Sequence, residues 1–100
     1  MLNINNFKHY IPQELLLEAE HFLSSGSFAQ ISEDDIGCYN ASYCIGSTEF
    51  WVELTLDESS DANIEDAYCQ ICGPTLCVHT VAICLAAYSS RIPPVKIKIN

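Results

Sequence analysis

One hundred residues bound the chain to a single domain, able to bury roughly 60 to 70% of the surface its unfolded form exposes. An apolar content of 49% excludes a disordered polymer, and a net charge of −9 weighs against tight, phosphate-driven binding of nucleic acid. No apolar run approaches the roughly 18 residues of a membrane-crossing helix, and MLNINNFKHY has neither the basic nor the apolar part of a secretory leader.

The expected compartment is therefore the cytoplasm. Thiols stay reduced there, so six cysteines point to metal ligation for some of them and away from a disulfide framework. The charge is uneven: residues 1–66 hold all 13 acids against Lys8 alone, net −12, while Arg91, Lys96 and Lys98 give residues 67–100 a net +3. An acidic body of this kind is either a solubility device or a surface for a basic partner.

In chain order, Pro12 followed by QELLLEAEHFLSSG predicts a helix. Proline is tolerated at the first helical position, Leu15, Leu16, Ala19, Phe22 and Leu23 recur at helical spacing, and Gly26 supplies a stop. FAQI at 28–31 predicts a short strand, with Glu33, Asp34 and Asp35 as a polar turn after it. In 38–45, Tyr39, Ala41, Tyr43 and Ile45 alternate with Asn40, Ser42 and Cys44, the period of a half-buried strand. Gly46-Ser47 predicts a tight hairpin, because glycine accepts the positive φ such a loop needs. Beyond it, Phe50, Val52, Leu54 and Leu56 alternate with Trp51, Glu53 and Thr55.

The acidic stretch DESSDANIED at 57–66 reads as a turn-rich connection, and Ile64 and Tyr68 leave room for another strand. Three or four antiparallel strands are expected. From Val78 the run VHTVAICLAAYSS is apolar nearly all round and predicts a buried helix. Pro93-Pro94 ends it, and VKIKI is a candidate edge strand. The fold class expected is α+β: an N-terminal helix, a small antiparallel sheet, a Cys/His motif and a buried C-terminal helix. Residues 1–100 form one domain, with its core at about 11–89 and a tail or edge strand at 90–100.

The segment YCQICGPTLCVH, residues 68–79, carries the most specific signal. Cys69 and Cys72 are spaced so that a tight turn aims both thiolates at one ion, and Gly73-Pro74 turns the chain so that Cys77 and His79 supply the other pair. The set Cys69, Cys72, Cys77 and His79 therefore predicts one tetrahedral Zn2+ site. Four protein ligands leave no open position, which predicts a structural ion and no enzyme activity. His79 would open the last helix, where the dipole disfavours a protonated imidazole and favours the neutral, ligating form.

With these residues in view, the Gly-Ser hairpin, the FWVEL strand and the run from the cysteine pair to CVHTVAICLAA resemble the SWIM zinc finger. That family's pattern is CxC, a spacer, and CxH at the start of an apolar helix. HFLSSGSFAQI, YNASYCIGS and TEFWVELTL resemble the helix and strands that precede the motif in many bacterial SWIM proteins, so the likeness spans residues 11–89. The chain departs from the pattern in having CxxC for CxC, which gives Cys69 less support from the resemblance than Cys72, Cys77 or His79. The resemblance implies a non-catalytic module that binds protein or DNA within larger assemblies.

Other residues carry less specific expectations. Cys38 and Cys44, about 20 Å apart on an extended strand, cannot share an ion and are expected as buried free thiols. Cys84, five residues after His79, is expected to fill the core, with a spare-ligand role only if Cys69 fails. Trp51 is expected to pack under the first helix; the alternative is a place on a partner surface. A Cys77/His79 nucleophile and base pair lacks a third, orienting group.

Three functions compete. The first is a zinc-organised adaptor for a protein partner, a component of a DNA-processing assembly among the candidates. With no catalytic domain in these 100 residues, such a module would act in trans. The second is weak, salt-sensitive nucleic-acid binding through Arg91, Lys96 and Lys98. The third is a thiol redox protein using CxxC, although that motif normally opens a helix after a βαβ unit, and a meander is expected here.

Overall fold

The computed structural model describes residues 2–57, 62–73 and 76–91, with residues 90 and 91 described by backbone alone. The expected α+β architecture is present: helix α1 (Gln13–Ser24), strands β1 (Phe28–Asp35), β2 (Cys38–Ile45), β3 (Thr48–Leu56) and β4 (Ile64–Cys69), and helix α2 (Val78–Arg91). The strands form one sheet in the order β1-β2-β3-β4 with every pair antiparallel, a meander. No helix among the described residues is long and apolar enough to cross a membrane.

Period-two alternation assigns the sheet's two faces. Tyr39, Ala41, Val52, Leu54 and Cys69 are buried on the inner face, with Ala41 opposite Val52 and Val52 opposite Cys69. Against this face lies α2, buried continuously from Thr80 to Leu85, so water reaches none of its sides there. Packed on α2, α1 turns inward Ala19 and, partly, Leu15, Leu16, Phe22 and Leu23, the spacing that its sequence predicts. Phe22 also reaches the sheet, its ring edge-on to Phe28 at 5.0 Å and to Tyr43 at 5.7 Å.

Several boundaries differ from the sequence expectations. Pro12 stands at the N-cap of α1, one residue ahead of its first turn, and Gly26 follows the C-cap Ser25 with φ +74°. Strand β1 runs on through Glu33, Asp34 and Asp35, and the turn falls at Ile36-Gly37. The acids serve the strand end: Gly37 N–H donates to Glu33 Oε2 at 2.9 Å, and Asp34 accepts from Ser32 and from Asn40 across the ladder. Gly37 itself has φ +82°, and a Cβ there would sit 2.6 Å from the carbonyl oxygen of Leu56.

The buried set also includes Ile4 and Phe7, ahead of the 11–89 segment expected as the core. Asn3 bridges Asn63, and Ile64 N–H donates to the Leu2 carbonyl, so the first residues cover the start of the β4 edge. The 3-10 turn Phe7–His9 then drops Phe7 into the core. The proposed VKIKI edge strand lies outside the described residues.

Candidate metal centre

Four elements converge where the inner face of the sheet meets the start of α2. Cys69 ends β4, where its register opposite Val52 points it inward and buries it fully. The chain then reverses within four residues: Cys69 N–H donates to Gly73 O at 3.1 Å and Gly73 N–H to Cys69 O at 2.7 Å. Gly73 has φ +85°, the left-handed conformation that lets so short a knuckle close. Cys72 rides on this knuckle and is exposed. Cys69 is the most deeply buried of the four.

Cys77 immediately precedes α2 and acts as its cap. Its N–H donates to Thr80 Oγ1 at 2.8 Å, while the buried Thr80 hydroxyl faces Cys77 O at 3.2 Å and Cys77 Sγ at 3.7 Å. A side chain three positions into the helix thereby satisfies the cap N–H, the geometry of a capping box with threonine in the usual Glu/Gln role. Within the first turn of α2, His79 directs Nδ1 at all three sulfurs, 3.5 Å from Cys69, 3.8 Å from Cys72 and 3.7 Å from Cys77. Its ring is stacked on Tyr43 at 4.4 Å and meets Phe22 edge-on at 5.1 Å, which fixes its plane.

All four ligand atoms lie within 4.8 Å of one another, close enough to coordinate a metal ion. The nitrogen–sulfur distances can be tested against a tetrahedron. With metal–sulfur bonds of about 2.3 Å and metal–nitrogen bonds of about 2.05 Å, the nitrogen–sulfur edge is about 3.6 Å. The three observed edges scatter around that value, so the donor set fits a four-coordinate ion.

The electrostatics point the same way. Burial alone would raise the Cys69 thiol, but a hydrogen bond from Tyr43 and the N–H groups of Cys72 and Ile71 outweigh it and lower its pKa. Although Cys72 as a residue is exposed, its sulfur faces the cluster, and desolvation there, then the hydrogen bonds and charges of Cys77 and Cys69, push its thiol up to about 12. Crowded thiolates repel one another, and a divalent cation among them turns that repulsion into a shared attraction. Burial also holds the His79 imidazole below its ordinary value, in the neutral form that can ligate.

Tyr43 was not legible as part of the site. Its hydroxyl lies 3.4 Å from both Cys69 Sγ and His79 Nδ1, and no sequence pattern pairs a residue of β2 with a motif some 30 positions on.

The remaining cysteines stand apart from the cluster. Cys84 fills the core as expected, and burial raises its thiol to about 12. Cys38 and Cys44, expected buried, are half-buried and exposed. They share the outer-facing parity of Asn40 and Ser42; Ser42, paired across the ladder with Gln30 and Trp51, is buried, but no helix or strand covers that face among the described residues. Trp51 likewise points outward, 46% exposed, and does not pack under α1. Arg91 is the last residue of α2, and Lys96 and Lys98 lie outside the described residues.

Comparison with protein-family models, with curated proteins and with solved structures finds no match for this chain. Fold and site together define a class: a small α+β protein whose Cys3His cluster can hold a metal ion.

Proposed function

We propose that this protein is a non-catalytic interaction module organised by one structural zinc ion, of the SWIM type, acting on a protein partner in the cytoplasm. The observation that carries the reading is the convergence of His79 Nδ1 on three cysteine sulfurs at 3.5 to 3.8 Å. Soft thiolates with one imidazole in a tetrahedral arrangement favour zinc over the harder cations. Four protein ligands would leave no position for water or substrate, so the ion would clamp the knuckle after β4 to the beginning of α2. The ion's binding free energy, about 10 to 16 kcal/mol in small zinc domains, rivals the whole stability of a 100-residue fold.

The net charge of −9 favours a protein partner over direct contact with phosphates through Arg91, Lys96 and Lys98. A component of a DNA-processing assembly remains within that reading, which the resemblance suggests.

Native mass spectrometry with metal analysis tests the proposal. One zinc per chain is expected, together with loss of the folded circular-dichroism signal when a strong chelator removes it. A chain that folds with unchanged stability without metal would falsify the proposal.

A further inference from the structure

Both helices lie on one face of the sheet, and among the described residues the other face is uncovered. Alternation places Trp51 of β3 and Tyr68 of β4 on that outer face, 46% and 40% exposed. Tyr68 pairs with Glu53, which sets its ring diagonal to Trp51, within reach of a shared ligand. Around these rings the face carries Asp34, Glu49, Glu53 and Asp66, and no Lys or Arg among the described residues. Half-exposed aromatic rings set among carboxylates have a definite complement. A guanidinium or ammonium group stacks on the ring face while its N–H donors reach the carboxylates.

We propose that the outer face of the sheet docks an Arg/Lys-rich segment of another protein, with its cations over Trp51 and Tyr68 and against Glu49, Glu53 and Asp66. The proposal rests on the reading of the protein as an interaction module and specifies the surface and the partner chemistry. A second copy of this chain, at net −9, would meet like charge on this face, and so would a nucleic acid.

The knuckle supports the face directly. Gln70 N–H donates to the Trp51 carbonyl and Trp51 N–H donates to Gln70 Oε1, each at 3.0 Å. These two bonds carry the β3–β4 ladder past Cys69, so the knuckle that bears Cys72 also fixes the backbone of Trp51. Loss of the ion loosens the docking face along with the site.

The test titrates a fluorescein-labelled dodecapeptide of alternating Arg and Gly into the zinc-loaded full chain and follows anisotropy, with a Glu/Gly peptide as control. Saturable binding that weakens with salt is expected, and the emission of Trp51, the single tryptophan, should change with it. Replacing the three face acids together (Glu49→Gln, Glu53→Gln, Asp66→Asn) should weaken binding about tenfold. Trp51→Thr should weaken it about threefold. The paired change Glu14→Gln and Glu18→Gln on α1, which also removes charge but lies off the face, should cost less than about twofold. Zinc content and far-UV circular dichroism are measured on every variant.

Equal loss from the α1 pair, or no loss from either face variant in a folded, zinc-loaded protein, overturns the proposal. So does tighter binding after deletion of residues 92–100, which would assign the face to the chain's own basic tail. A zinc-loaded chain that ignores the peptide sinks this docking face and leaves the module reading standing. A chain that takes up no zinc removes the module reading by its own measurement, and this inference with it.

Discussion

At the residue scale, the orientation of one imidazole decides most of the chemistry. Tyr43 and Phe22 hold the His79 ring so that Nδ1 faces the sulfurs, and the Tyr43 hydroxyl lies against both Cys69 and His79. Tyr43→Phe keeps the stacking and removes that contact. It should lower metal affinity by about tenfold, as loss of an outer-shell partner usually does, measured by competition with a chromophoric chelator. Unchanged affinity would assign Tyr43 a packing role alone.

The pH response follows from His79. Burial depresses its folded pKa below the ordinary 6.5, so in the interval between the two values the unfolded chain binds more protons. Stability from this group is therefore complete above about pH 6.5 and is lost as pH falls through the folded value. Denaturant midpoints of the zinc-loaded chain at pH 7.5, 6.5 and 5.5 should decline in that order, because the same imidazole must be neutral to ligate. A midpoint that rises on acidification would contradict the burial of a neutral imidazole.

Thiol chemistry separates the metal reading from the redox one. Cys44 is exposed and Cys38 half-buried, while Cys84 is buried and its thiol raised to about 12. With metal bound, the two sheet cysteines should be the rapidly alkylated pair, and chelation, which unfolds the chain, should expose the other four, Cys69, Cys72, Cys77 and Cys84. A protein whose Cys69 and Cys72 cycle between disulfide and dithiol without metal would support redox chemistry.

At the element scale, turns and caps set the boundaries. Gly37→Ala would force a Cβ to within 2.6 Å of the Leu56 carbonyl at φ +82°, at a cost of about 2 to 4 kcal/mol in urea unfolding. Thr80→Val removes the acceptor of the Cys77 N–H at the start of α2 and should cost about 1 to 2 kcal/mol, with Thr80→Ser restoring most of it. Equal stability of the valine and serine variants would show that the cap contributes nothing.

The elements also show where sequence reasoning works. Strands β2 and β3 were legible because alternation and the Gly46-Ser47 loop fix their register, and α2 because its apolar run is too continuous for any exposed helix. The end of β1 was not legible, because Glu33–Asp35 look like turn residues until their side chains are seen to bond Gly37 and Asn40. Cys38, Cys44 and Trp51 were misplaced for a related reason. Their parity was plain, but which face would lack a covering layer was not.

At the scale of the whole molecule, the core is closed from both ends of the chain. Phe7 is 1% exposed, and Phe7→Ala should destabilise the fold by about 3 to 5 kcal/mol in denaturant titrations, although nothing in the N-terminal sequence marks it as core. A loss below about 1 kcal/mol would mean that the first residues only rest against a core complete without them. No local periodicity exists over so short a segment, and its burial comes from the Asn3–Asn63 bridge that docks it on β4.

What the sequence determined by itself was local: the α+β order of elements, the β2–β3 hairpin and the grouping of Cys69, Cys72, Cys77 and His79. Side-chain period, turn chemistry and ligand spacing all act within a few residues, so they are written in the linear chain. Only the tertiary structure decided that Cys69 is the buried member of the cluster, that Tyr43 and Phe22 hold the imidazole, and that Trp51 faces outward. Those outcomes depend on which layer covers which face, and that is settled when segments distant in sequence compete for the same apolar surface.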